Sequence, residues 1–156
     1  MILQGTAYWA KVLGKPQDGY TKGEREWSVD IALDEATEQK YLAEGGSDFY
    51  LKSKENHPAN GKRFIAFKRK EIKQDGTPAK PIEVVDNKGN PWDPSVKIGN
   101  GSVVNFKFAL NEVTVGKDKR LKPSLIGIQV WEHVPYEGGD SDYVEYPTVD
   151  NEETWV

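Results

Sequence analysis

The run Ser102-Val103-Val104-Asn105-Phe106-Lys107-Phe108-Ala109-Leu110 decides the fold. Val104, Phe106, Phe108 and Leu110 fall on one side and Asn105 and Lys107 on the other, the period-two pattern of a strand with one face in a core. The pattern opens after the turn residues Gly99-Asn100-Gly101, and the strand it predicts extends over 102–115. A second long strand is predicted over 125–134, with Ile126, Ile128, Val130 and Val134 inward and Gln129, Trp131 and His133 outward. Between the two, residues 116–123 read as a hairpin loop that brings Lys117, Lys119, Arg120 and Lys122 to its tip.

Working towards the amino terminus, residues 82–86 form a short strand ended by the turn-rich Asn87-Lys88-Gly89-Asn90-Pro91. Residues 62–73 form another, with Ile65 and Phe67 inward and Phe64, Ala66, Lys68 and Lys70 opposite. Residues 26–33 alternate cleanly: Trp27, Val29, Ile31 and Leu33 point to the core, and Glu26, Ser28 and Asp30 away from it. The stretch 34–44 lacks Gly and Pro, begins at a capping Asp34 and stops at Gly45-Gly46, which predicts a short helix. The first strand, over 3–13, sets Tyr8, Ala10 and Val12 on one side and Trp9 and Lys11 on the other. Trp92, between two prolines, reads as a ring that pins a loop to the body.

Strands with one intervening helix do not suit a parallel α/β sheet, which needs a helix after nearly every strand. The expected class is all-β: a five-stranded OB-fold Greek-key barrel over residues 1–136, with a short helical insertion, followed by an acidic tail over 137–156. In 156 residues there is no cysteine, so disulfide scaffolds, zinc-thiolate sites and cysteine nucleophiles are excluded. No apolar run approaches the roughly 18 residues of a membrane span. The first ten residues lack the pattern of a secretory signal, and the chain is read as intracellular. His57 and His133 are the only imidazoles, which leaves little for Ser-His-Asp chemistry or a histidine-rich metal centre. No cofactor is expected.

The net charge of -4 averages two regions of opposite sign. Residues 137–156 hold seven acids and no Lys or Arg, whereas residues 1–136 hold 21 basic and 18 acidic side chains. Between Lys52 and Lys80 nine basic residues face three acids. An acidic tail beside a basic body either screens that body or reaches a separate partner. Tyr143, Tyr146 and Trp155, spaced through the acids, suit a segment that docks rather than one that only solvates.

Gripping an unpaired polynucleotide requires cations along the phosphates and flat side chains on which bases stack. Alternation offers Trp9 with Lys11, Phe64 with Lys68 and Lys70 beside Lys62 and Arg63, and Trp131 near Asn105 and Lys107, with Lys119, Arg120 and Lys122 on the hairpin. A register slip of one residue exchanges the faces, so Trp9 and Phe64 stand equally as core or as stacking rings. Trp131 has polar same-face neighbours, and Trp27 belongs to the core stripe. Asp30, Asp34 and Glu35 raise a competing reading as the metal-binding carboxylates of a nuclease, although Asp34 and Glu35 are better explained as the acidic first turn of a helix. A third reading is an OB-like adaptor or DNA mimic acting through its acidic tail.

The segments Ile82-Glu83-Val84-Val85-Asp86-Asn87-Lys88-Gly89 and Ile98-Gly99-Asn100-Gly101-Ser102, the alternating 104–110 and residues 127–136 together resemble the single-stranded DNA-binding proteins of tailed bacteriophages. Gly5-Thr6-Ala7 and the 26–33 strand are also similar, so the likeness spans roughly residues 5–136. Asp150, Glu152, Glu153 and Trp155 resemble that family's acidic, aromatic-ended tail, except that Val156 follows the aromatic. The resemblance implies an OB fold and a non-enzymatic protein of the infected bacterial cytoplasm. Such a protein coats and protects phage single-stranded DNA and touches replication or recombination proteins through its tail. Independently of the resemblance, a tail able to dock in a neighbouring copy suits weak self-association. Lys107 matches a basic position of the family's long strand.

Overall fold

A computed structural model of the chain describes residues 1–18, 24–73 and 75–135; the tail from 137 onward lies outside the described residues. Strands β1 (Ile2–Lys11), β2 (Gln17–Asp18), β3 (Arg25–Ala32), β4 (Phe64–Lys70), β5 (Glu83–Val85), β6 (Ser102–Val115) and β7 (Asp118–Glu132) form one sheet, with helix α1 (Glu35–Ala43) and a 3-10 turn (Asp48–Tyr50) between β3 and β4. β1 pairs antiparallel with both β3 and β6, β3 with β4, and β6 with β7. β2 prolongs the line of β1 beside β3, and β5 lies parallel to β7. The chain thus runs out through β1, β3 and β4 and returns to place β6 beside β1, the Greek-key order of a five-stranded barrel with two short additions.

The inside is built by the alternation of the long strands. Val29, Ile31, Ile65, Phe67, Val104, Phe106 and Phe108 are all buried, and Phe106 stacks against Phe108 at 5.4 Å between ring centroids. Burying each such side chain contributes about 1.5–3 kcal/mol. Trp27 is in this core, its indole N–H donating to the Gly14 carbonyl at 3.1 Å. Trp92 packs on the core's rim and donates to the Val96 carbonyl at 2.8 Å, which pins its loop. Asp34 caps α1, accepting from the Thr37 amide at 2.8 Å. That bond holds the carboxyl below its ordinary range. Tyr41, the buried residue of α1, donates its hydroxyl to the Ser47 carbonyl at 2.9 Å, and burial pushes its pKa up to about 12. A side chain at Gly46 would run into the Tyr41 ring, so the turn after α1 requires glycine.

Between β4 and β7 no ladder runs among the described residues. Arg69 closes the seam instead, its guanidinium donating to the carbonyls of Lys80 and Leu125. Burial lowers its pKa from the ordinary arginine value.

Several boundaries differ from expectation. The strand expected over 62–73 is confined to Phe64–Lys70. The stretch 116–123 is not a loop: β7 begins at Asp118, only Gly116 and Lys117 turn the chain, and Lys119, Arg120 and Lys122 belong to a long two-stranded arm. Cross-strand pairing with 111–115 dictates this, against a polar sequence that reads locally as loop. Ile126 points outward, because an extra residue in β7 between the partners of Lys107 and Phe108 shifts the alternation and leaves Leu125 inside. In β1 a similar bulge separates Tyr8, which lies on the outer face, from Ala10 and Val12, which face the core.

Candidate nucleic-acid interface

The outer faces of β1, β3 and β4 meet a second, smaller apolar cluster. Phe64, Ala32 and Ala59 are buried there, with Tyr8 and Ala66 packed beside them, under the chain segment that connects the 3-10 turn to β4. His57 is the keystone of that cover. Its Nδ1 accepts from the Ala59 amide at 3.0 Å, so its Nε2 carries the proton and donates to Asp30 Oδ2 at 2.9 Å. Asn56 and Asn60, at φ of 62° and 55°, bend the backbone around it, in the left-handed region that Asn tolerates best after Gly.

Beside this cover lies a cleft of about 740 Å³ lined by Trp9, Lys11, Glu26, Ser28, Asp30, Lys52, Lys54 and Lys68, with Phe64 at its base. Four ammonium groups there face two carboxylates, and one of the two, Asp30, is engaged by His57. Trp9 forms the cleft's flat wall. It sits on the β1 bulge at φ 52°, a conformation costly for a bulky residue, and its amide donates to Asn100 Oδ1 at 2.7 Å. The bulge turns the indole outward, 46% exposed, where it leans on His57 with 4.6 Å between ring centroids.

Of the residues singled out from the sequence, the cleft gathers Trp9, Lys11, Phe64 and Lys68. Phe64 is on the expected face but is not a free stacking ring. It is 3% exposed, because His57 lies over it. Arg63 is occupied elsewhere, bridging Glu38 and Asp48 at 2.9 Å each, and those bonds raise its pKa. Lys70 pairs with Glu24 at 3.1 Å. Lys62 is exposed outside the cleft.

Trp131, Asn105 and Lys107 lie away from the cleft. Asn105 is the middle of an amide ladder, accepting from Gln4 and donating to Gln129, each at 3.0 Å. Trp131 is 45% exposed and also occupies a bulge, between the partners of Val103 and Val104. On the arm, Lys119 and Lys122 are exposed, while Arg120 lies over the Phe49 ring, 3.8 Å from its centroid. The suspected nuclease carboxylates are separated by task, since Asp30 holds His57 and Asp34 caps α1. Among the described residues no cluster of three metal-ligating side chains occurs, and no helix is long and apolar enough to cross a membrane. Sequence reading missed Lys52 and Lys54 as wall residues, which only the path of their loop brings to the cleft.

The topology and the outward cleft define an OB-like barrel. No family model matches the chain, and no curated protein matches it. The likeness is to solved structures. The single-stranded DNA-binding protein from bacteriophage Enc34, solved in complex with ssDNA, superposes with a TM-score of 0.62 at 13% identity, covering 86% of this chain and 86% of that one. Gp2.5, a single-stranded DNA-binding protein encoded by bacteriophage T7, superposes with a TM-score of 0.59 at 20% identity, covering 93% of this chain and 95% of that one. The chain shares the fold of these phage proteins.

Proposed function

We propose that the protein binds single-stranded DNA without sequence preference, as a non-enzymatic coat protein. The observation that carries this reading is Trp9, a ring held outward on a strained bulge inside a lysine-walled cleft. Bases of any identity present a flat face to such a ring, at about 1–3 kcal/mol per stacked base. Lys11, Lys52, Lys54 and Lys68 line the same cleft and in this reading take the phosphates, which makes affinity fall steeply with salt. The shared fold with phage single-stranded DNA-binding proteins supports the same reading, together with a role in phage replication or recombination inside the bacterial host.

The segment 137–156, with its seven acids, acts in this proposal as an intramolecular competitor for the cationic cleft, and Asp150, Glu152, Glu153 and Trp155 contact partner proteins. A fluorescent oligothymidylate titrated with the full chain tests the core of the reading. Salt-sensitive binding that tightens or holds when residues 137–156 are deleted supports it. No binding in dilute buffer overturns it, and loss of the main activity on deletion favours an adaptor acting through the tail.

A further inference from the structure

Outside the cleft the most exposed large ring among the described residues is Phe49, in the 3-10 turn, 51% accessible. A lone exposed Phe is ordinary. This one is flanked by cations from two different parts of the fold: Arg120 of the β6–β7 arm, 3.8 Å from its centroid, and Lys52, at 5.6 Å. Lys52 also lines the cleft that holds Trp9, so ring and cleft share an ammonium group. Tyr50 meets the ring edge-on at 5.1 Å and supports its orientation.

Arg120 differs from the arginines that tie the fold together. Arg63 spends its guanidinium on two carboxylates and Arg69 on two carbonyls. Arg120 has only its near neighbour Asp118, at 3.6 Å, and its Nη1 has no hydrogen-bond partner among the described residues. A clasp built only to hold the arm would satisfy that nitrogen. A flat guanidinium layered on a flat ring is instead the kind of plate on which unpaired bases stack.

We infer that Phe49 and Arg120 form a second base-stacking station, which takes the next stretch of the same DNA strand as it leaves the cleft past Lys52. This rests on the single-stranded DNA-binding reading above. Its ligand is an unpaired nucleobase with the adjoining phosphate, and the β6–β7 arm is thereby part of the binding track.

The test compares two labelled oligothymidylates on the full chain, about four and about sixteen nucleotides long, the span of site sizes found for OB folds. Phe49→Leu, which keeps an apolar contact for the arm, is expected to leave the short ligand unaffected and to weaken the long one by about tenfold. Phe49→Trp is expected to restore it. If Phe49→Leu changes neither ligand while Trp9→Gly weakens both, the second station is wrong and the cleft reading stands. Equal weakening of both ligands by Phe49→Leu likewise overturns a separate station. Failure of the wild-type chain to bind either ligand overturns the cleft reading itself.

Discussion

The His57 ring lies flat on Phe64, centroids 4.0 Å apart and planes 11° from parallel. This pair divides the outer face of β1, β3 and β4 into a covered half and an open half. Without it Phe64 would join the open surface, and Trp9 would lose the imidazole it leans on. One buried side chain therefore both covers Phe64 and props the ring that the β1 bulge turns outward.

His57→Ala removes that cover and orphans the buried Ala59 amide and the Asp30 carboxylate. The expected loss is about 2–4 kcal/mol of unfolding free energy, read from urea titration. DNA affinity should fall with it. A variant as stable as wild type would show that the cover is held by other contacts.

Trp9→Gly separates binding from stability. Glycine accepts φ 52° without strain, which offsets the greater freedom of its unfolded chain, so stability should stay within about 1 kcal/mol of wild type. Oligothymidylate affinity should fall about tenfold or more with the lost stacking surface. Loss of stability with unchanged binding would assign Trp9 to structure alone.

The lysines are distinguished by the salt dependence of binding. Replacing Lys68, which lines the cleft, by Gln should reduce the slope of log K against log salt by about 0.7, the value for one phosphate contact on a single strand. Lys70 is paired with Glu24, and its replacement should change the slope less. Equal slopes for both variants would place the strand elsewhere.

Acid sensitivity follows from the turns. Asp34, Asp75, Asp86 and Asp93 are each held below the ordinary carboxyl pKa, chiefly by hydrogen bonds from residues two to four positions on. The unfolded chain therefore takes up protons first as pH falls. The stabilisation is complete above about pH 5 and is lost as pH drops below about 4. Asp34→Asn keeps a capping side chain but no titrating group, so its Tm should decline less steeply than wild type on acidification.

Much of the barrel was legible because alternation needs no partner to be seen. Trp27 to Leu33 and Val104 to Leu110 face as their spacing predicts, and Asp34 with Gly45-Gly46 brackets α1. What escaped depends on pairing across the chain. The bulges at Trp9 and near Ile126 exist only relative to neighbouring strands, so counting by two misplaced Tyr8 and Ile126. Phe64 sits on the face its spacing gives it, but its cover comes from a separate loop. Phe49 has no periodic neighbours at all, and its significance arises from an arm that reads locally as a charged loop.

The seam at Arg69 has a mechanical consequence. A tube sealed by a ladder can open only by breaking several amide bonds together, whereas at this line the described hydrogen bonds between the two edges come from one guanidinium, and core packing supplies the rest. In the strand order β4-β3-β1-β6-β7 the strand farthest from that seam is β1, which carries the Trp9 bulge. If the cleft takes a limp polymer, as proposed, it does so on a barrel whose circumference is not closed by a continuous ladder among the described residues.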